Sequence, residues 1–275
     1  SPYQPLSGFA GNIYFIDLDK LADEGLLKKK EILGYNWGAD ESEIDYAALH
    51  QSRYKILQKA FERFDTNAQD FQDFVKKQSG WIEQYALFMA LKTDNLDKNW
   101  SEWSNEYRDL QTVALENYQK KNYNKITFWE FCQYKFFEQW NDLKDYANSK
   151  GIYIIGDISF YVGYDSVDVW ADRQLFMMSA NDTPEYVAVA GPDKYSESGQ
   201  VWGNLMYDWD AMKDDDFSWW RRRMRVSREL FDIVRIDHFA GILKAYAVPY
   251  GQDGSLSGKW FKGPGRRLVN AINEE

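Results

Sequence analysis

Apolar positions along this chain fall into two regimes, one spaced for helices and one packed into short continuous runs. From residue 42 to 121 the spacing is helical. Ser42 is placed to cap EIDYAALHQSRYKILQKAFERF, where Leu49, Arg53, Leu57, Phe61 and Phe64 share one face. AQDFQDFVKKQ, GWIEQYALFMALK and NEYRDLQTVALENYQKK repeat the pattern. His50 lies inside the first of these helices with no cluster of ligands around it. A connection this long is an inserted subdomain, which bounds the chain as an insertion at 41–121 between portions 1–40 and 122–275.

A further helix is predicted over TFWEFCQYKFFEQWNDLKDYANSKG. Thr127 and Glu130 make a capping-box pattern, Cys132 sits on the apolar face and Gly151 stands at the C-terminal cap. The runs IYIIGDI and DIVRIDHF, and then KAYAVP, read instead as strands. Short apolar strands alternating with helices imply a buried parallel sheet with helices outside it, an α/β class. Between IYIIGDI and the basic helix FSWWRRRMRVSRELF the chain reads as a long irregular segment. The arginines of that helix are expected on a solvated or acid-paired face. Long polar segments leave the C-terminal ends of the strands, where open α/β sheets and (β/α)8 barrels carry their active sites.

Composition narrows the chemistry. The chain has 275 residues and a formal net charge of −10, which disfavours nucleic acid and anionic membranes as partners. No apolar run approaches the ~20 residues that cross a bilayer. The two histidines and single cysteine rule out a zinc site built on several of them, and no disulfide is expected within the chain. One unpaired cysteine fits a reducing, cytoplasmic setting. The 12 Trp, 19 Tyr and 17 Phe suit a site that stacks aromatic faces on sugar rings, although most of them are expected to fill the core.

Three stretches gather chemistry. In DIVRIDHFAG, strand alternation puts Arg235 and Asp237 on one face and His238 on the other. An arginine beside an aspartate keeps the carboxylate ionised, as a nucleophile in retaining glycoside cleavage requires. A buried Arg–Asp pair that fixes register fits the local pattern equally well. GDISFYVGYDSVDVW sets Asp157, Asp165 and Asp168 among Tyr161 and Tyr164. That mixture suits hydroxyl recognition, while its spacing is not that of an EF-hand. Asp168 is alternatively a turn cap, and Asp157 a structural acid held by backbone donors. SESGQVWGNLMYDW carries Trp202 and Trp209 on a loop shaped by Gly199 and Gly203, as a platform or as anchors.

Together with SPYQPLSGFAGN, these stretches resemble, in order and wording, the amylomaltases, the 4-alpha-glucanotransferases of the alpha-amylase clan. The resemblance covers nearly the whole chain, weakly through the helical insertion. It implies part of a (β/α)8 TIM barrel, no cofactor or metal, and maltooligosaccharides or α-1,4-glucans as substrate. It implies double displacement, in which a glucosyl-enzyme ester is intercepted by another glucan's 4-hydroxyl. Carried over by motif, Asp237 resembles the nucleophile and Arg235 the residue that holds its charge. Asp165 and His238 resemble hydroxyl-binding residues, Ser1 and Tyr3 donor-site residues, and Trp202 an acceptor-side aromatic. The chain departs from the family pattern at Ala240, where a bulky basic residue is usual, and at Leu205, where a proline is.

Retaining cleavage takes a second carboxyl group about 5 Å from the nucleophile. The resemblance puts it on a strand beyond residue 275. The expectation is therefore an incomplete barrel, inactive in isolation, whose bare strand edges favour self-association. Two other readings stay beside glucan transfer. One is an α-glucan hydrolase of the same clan, and the other a non-catalytic glucan-binding module with Asp237 as a structural acid.

Overall fold

In the computed structural model, residues 4–40, 42–190, 194, 197, 199–252 and 257–275 are described. The chain forms two compact units, residues 10–90 with 118–145, and residues 1–9 with 91–117 and 146–275. Segment 91–117 thus groups with the strand-bearing residues, whereas 10–40 and 122–145 group with the helices. Part of the reason is local: the Trp100 indole donates to the Tyr164 carbonyl at 2.7 Å, and Lys92 pairs with Asp165.

The first unit is helical, and its core is built where the apolar periodicities meet. Ile56, Leu57, Phe71, Ile82, Phe88, Phe131 and Cys132 are buried together. Its aromatic contacts include Phe64–Phe131 at 4.8 Å and Tyr54–Phe128 at 5.2 Å between ring centres. The Tyr46–Phe61 helix is capped by Asp45, which accepts the Ala48 N–H at 2.9 Å, and not by Ser42, which bonds to Asp40. Both oxygens are suitable acceptors, but only Asp45 directly precedes the first helical residue. Thr127 is likewise no cap. The helix starts at Tyr123 and runs to Ser149, which leaves Thr127 buried inside it. Its end matches expectation: Gly151 takes φ +74°, its N–H bonds to the Asn148 carbonyl, and the Ile152 N–H bonds back to that of Ala147.

The second unit holds six described strands: β1 (Ile155–Ile158), β2 (Tyr186–Ala190), β3 (Gln200–Leu205), β4 (Ile233–Ile236), β5 (Lys244–Pro249) and β6 (Lys259–Lys262). β1 and β4 pair in parallel, Asp157 opposite Arg235 and Ile158 opposite Ile236. Two features correct the sequence reading. The segment taken as irregular contains β2 and β3, and β5, the KAYAVP run, joins them and β6 in an antiparallel sheet ordered β3-β2-β5-β6. β5 buries Ala245, Ala247 and Val248 while Lys244 stays exposed, so both faces are covered toward its C-terminal end, where Val248 packs with Val187 and Val189. Nor is the parallel pair buried on both faces: Ile155 is 62% exposed and Ile233 52%.

Candidate functional site

The β1–β4 register sets the site. Strand pairing puts Asp157 beside Arg235, and the Asp237 N–H then bonds to the Ile158 carbonyl at 2.9 Å, just past the last paired residues. The Arg235 guanidinium reaches both acids. Nη1 donates to the Asp157 carboxylate and Nη2 to Asp237 Oδ1 at 3.2 Å. All three side chains keep substantial exposure, 59% for Arg235, 40% for Asp157 and 35% for Asp237. Exposed pairs of this kind add about 0–1 kcal/mol to stability. Their consequence is orientation of the Asp237 carboxylate, with Arg235 itself steadied from behind by Asp157.

Both parallel strands release chain into one cavity of about 380 Å³. After β1 come Ser159, Phe160 and Tyr161, and after β4 come Asp237 and His238. The corner after β1 is closed by hydrogen bonds from Ser159 Oγ to the Tyr161 carbonyl (3.1 Å) and from the buried Tyr207 hydroxyl to the Phe160 carbonyl (2.6 Å). His238 adopts a left-handed conformation, φ 47° and ψ 41°, which turns the chain immediately after Asp237. Partial burial holds its imidazole below the ordinary 6.5, against the pull of the Asp237 charge, so the ring is neutral at pH 7.

β3 supplies the opposite wall. Val187 pairs with Leu205 and Val189 with Val201, so β3 spends extra residues between these points in a bulge. Gly203, at φ +74°, sits in it and re-aims its neighbours. Gln200, Trp202 and Asn204 all line the cavity. The Trp202 ring meets His238 edge-on, 5.1 Å between centres and 89° between planes. Gln4 completes the lining and donates to the Trp202 carbonyl at 2.9 Å. An indole, a phenol ring, amides, a hydroxyl, a neutral imidazole and one oriented carboxylate form the kind of surface that holds a sugar by its C–H face and its hydroxyls.

The structure thus brings Asp237, His238 and Trp202 together and puts Arg235 behind Asp237. Asp165 is not in the described lining. Its carboxylate accepts from Lys92 at 2.6 Å and from the Trp100 N–H at 3.4 Å, and Lys92 also donates to the carbonyls of Asp97 and Lys98. Ser1 and Tyr3 lie outside the described residues. Asp168 is buried, accepting from the Gly8 N–H at 2.7 Å and the Trp219 indole at 2.9 Å, and burial raises its pKa. His50 bonds to the Tyr14 hydroxyl at 2.9 Å. Of the basic helix Ser218–Leu230, Arg221 and Arg225 pair with Glu274 and Glu275, and Arg222 with Asp172. Arg223 departs from the solvated or acid-paired expectation and is 3% exposed. Sequence reasoning missed Gln4, Ser159, Gln200 and Asn204 as lining residues. Gln200 and Asn204 sit two residues either side of Trp202, a signal visible only once β3 is known to be a strand.

The whole chain, residues 1–275, matches the profile of the family described as 4-alpha-glucanotransferase. A 4-alpha-glucanotransferase of Streptococcus pneumoniae is 43% identical over all of this chain and 55% of its own length. One of Clostridium butyricum is 41% identical over all of this chain and 57% of its own. Among solved structures, an amylomaltase from Streptococcus agalactiae in complex with acarbose superposes with a TM-score of 0.93 at 36% identity, covering the whole chain and 56% of that structure. The chain spans about half the length of the curated relatives it matches. On a family match that runs its whole length, the chain belongs to the 4-alpha-glucanotransferase family.

Proposed function

We propose that the cavity is an α-1,4-glucan site and that Asp237 is the nucleophile of a retaining glucan transfer. The observation that carries this is the placement of the Asp237 carboxylate, held by Arg235 at the rim of a cleft walled by Trp202, Tyr161 and His238. A carboxylate oxygen of Asp237 attacks the anomeric carbon, the bond to the glycosidic oxygen breaks, and a glucosyl ester forms. A second glucan's 4-hydroxyl then attacks the ester, giving its proton to the group that served as general acid in the first step, and the Asp237 carboxylate is released. Neutral His238 is suited to donate to or accept from sugar hydroxyls, and Trp202 to stack beneath a ring. Asp165 serves the site by bracing the loop after β1 through Lys92, or through a glucan hydroxyl at its remaining lone pairs.

The first step also needs a proton for the leaving oxygen. Asp237 is the one carboxylate among the described lining residues, so we assign the general acid to a residue outside that lining. On the same reading the parallel pair β1–β4 is part of a (β/α)8 barrel, with catalytic residues at the C-terminal strand ends as such barrels require. The helical segment 41–121 then belongs to its insertion, and the barrel portion to 1–40 and 122–275. Among the described residues no helix is long and apolar enough to cross a membrane. A non-catalytic glucan-binding role is favoured for this chain alone by the same single carboxylate.

Incubation with maltotriose, products resolved by size, tests the reading. A protein of the relatives' full length that contains this chain is expected to yield glucose and a ladder of longer maltooligosaccharides. Glucose and maltose with no ladder would assign a hydrolase instead.

A further inference from the structure

Arg223 is the most deeply buried arginine beside the cavity, and its environment is unusual for a charge. Its guanidinium lies over two indoles, 5.1 Å from the Trp219 ring centre and 5.5 Å from that of Trp220. Nη2 donates to Ser159 Oγ at 3.2 Å. Nε and Nη1 have no hydrogen-bond partner among the described residues, and the nearby Asp168 carboxylate is occupied by Gly8 and Trp219. As a device for stability this is poor. A buried guanidinium with N–H groups left unmade costs free energy that an apolar side chain of similar volume would not.

What the arrangement provides is placement. Ser159 Oγ accepts from Arg223 and passes its own hydrogen to the Tyr161 carbonyl, closing the corner whose residues line the cavity. The indole under Arg223 also organises the N-terminal loop. Trp219 donates to Asp168, Asp168 accepts from Gly8, and Phe9 rests edge-on against Trp219 at 5.8 Å. That loop carries Gln4 to the cavity wall.

We propose that Arg223 is a positioning residue for the glucan cavity, acting through Ser159 to fix the corner Ser159–Tyr161, and that this fixation costs the fold stability. The proposal rests on the glucan reading of the cavity. It separates two properties that a merely structural arginine would lose together.

Titration of the 275-residue chain with maltoheptaose, followed by tryptophan fluorescence, supplies the test. Arg223→Met is expected to weaken binding roughly tenfold, the scale of one lost hydrogen bond to a charged group, while thermal stability holds or rises. Ser159→Ala, which leaves the indole stack intact, is expected to match that loss. The double variant is expected to lose no more than either single one, because the two act in series. Unchanged affinity in Arg223→Met, or losses that simply add, would overturn the positioning role while leaving the glucan reading in place. Failure of the unsubstituted chain to bind maltoheptaose would overturn the glucan reading and this inference with it.

Discussion

Arg235 Nη2 donates to Asp237 Oδ1 across 3.2 Å, two residues apart on one strand face. Both side chains are exposed enough that the contact contributes little to stability, so its effect must appear in chemistry. Arg235→Ala in a protein of the relatives' full length that contains this chain is expected to lower kcat by about 100-fold, the scale of a misplaced reacting group. Its melting temperature should stay within a few degrees of the parent, because the lost pair is worth about 0–1 kcal/mol. Steady-state kinetics beside a thermal melt check both halves. A large fall in melting temperature with kcat preserved would make the pair a register device.

Gly203 makes a second, local prediction. A Cβ there would meet nothing nearer than Gln4 Nε2 at 3.8 Å, so space is available and only the φ of +74° resists substitution. Gly203→Ala is expected to destabilise by about 1–2 kcal/mol through left-handed strain. It should also weaken maltooligosaccharide binding by re-aiming Trp202. Denaturant melts and fluorescence titration measure the two effects, and a variant with full stability and full affinity would show that the bulge does not set the wall.

Glu130 and His238 shape the dependence of stability on pH in opposite directions. Glu130 sits near Glu83 in the helical unit, and burial pushes its carboxyl up from 4.5 to about 7. Below pH 4.5 it is protonated in both states and costs nothing. As pH rises through 4.5 to 7 the unfolded chain ionises first, so stability falls and stays lower above 7. Glu130→Gln is therefore expected to raise the melting temperature at pH 8 and leave it unchanged at pH 4. His238 is held below 6.5 by burial, so its contribution is complete above 6.5 and is lost as pH falls below it. His238→Gln is expected to flatten the acid side of the profile. Melts across the pH range decide both, and a Glu130→Gln chain no more stable at pH 8 would refute the first.

Self-association is the expectation for the β1–β4 pair. Tyr153 is 71% exposed, Ile155 62% and Ile233 52%, apolar residues beside strand edges that are unpaired among the described residues. Sedimentation velocity of the 275-residue chain is expected to show mass rising with concentration, and Ile155→Lys to suppress it. A strict monomer at high concentration would contradict this.

Much of the site was legible because its chemistry is local. RIDH puts the proposed nucleophile, its arginine and its imidazole within four residues, and period-two alternation alone places Arg235 and Asp237 on one face. Trp202 was legible as an aromatic among glycines. The companions of these residues were not, because they depend on long-range geometry. Gln4 reaches the cavity across 198 residues of sequence to Trp202. Gln200 and Asn204 line it beside Trp202 because β3 is a strand, whereas SESGQVWGNLMYDW reads as a loop. The fold shows the same division. Helices announced by periodicity are present, but Ser42 and Thr127 misplaced two starts, since several residues near each start carry capping oxygens. KAYAVP looked like a parallel strand because its nearly continuous apolar run does not reveal its antiparallel partners β2 and β6. Arg223 was indistinguishable in sequence from its acid-paired neighbours Arg221, Arg222 and Arg225 in WWRRRMR.

The proposed attack of Asp237 on the anomeric carbon can be trapped by treating this chain with 5-fluoro-α-D-glucosyl fluoride and mapping the adduct by peptide mass spectrometry. Fluoride departs without a proton from a general acid, so the trap needs only the nucleophile and the sugar site. One fluoroglucosyl ester is expected, on Asp237, and none in Asp237→Asn. An adduct on another carboxylate, or none in a chain that binds maltoheptaose, would contradict it.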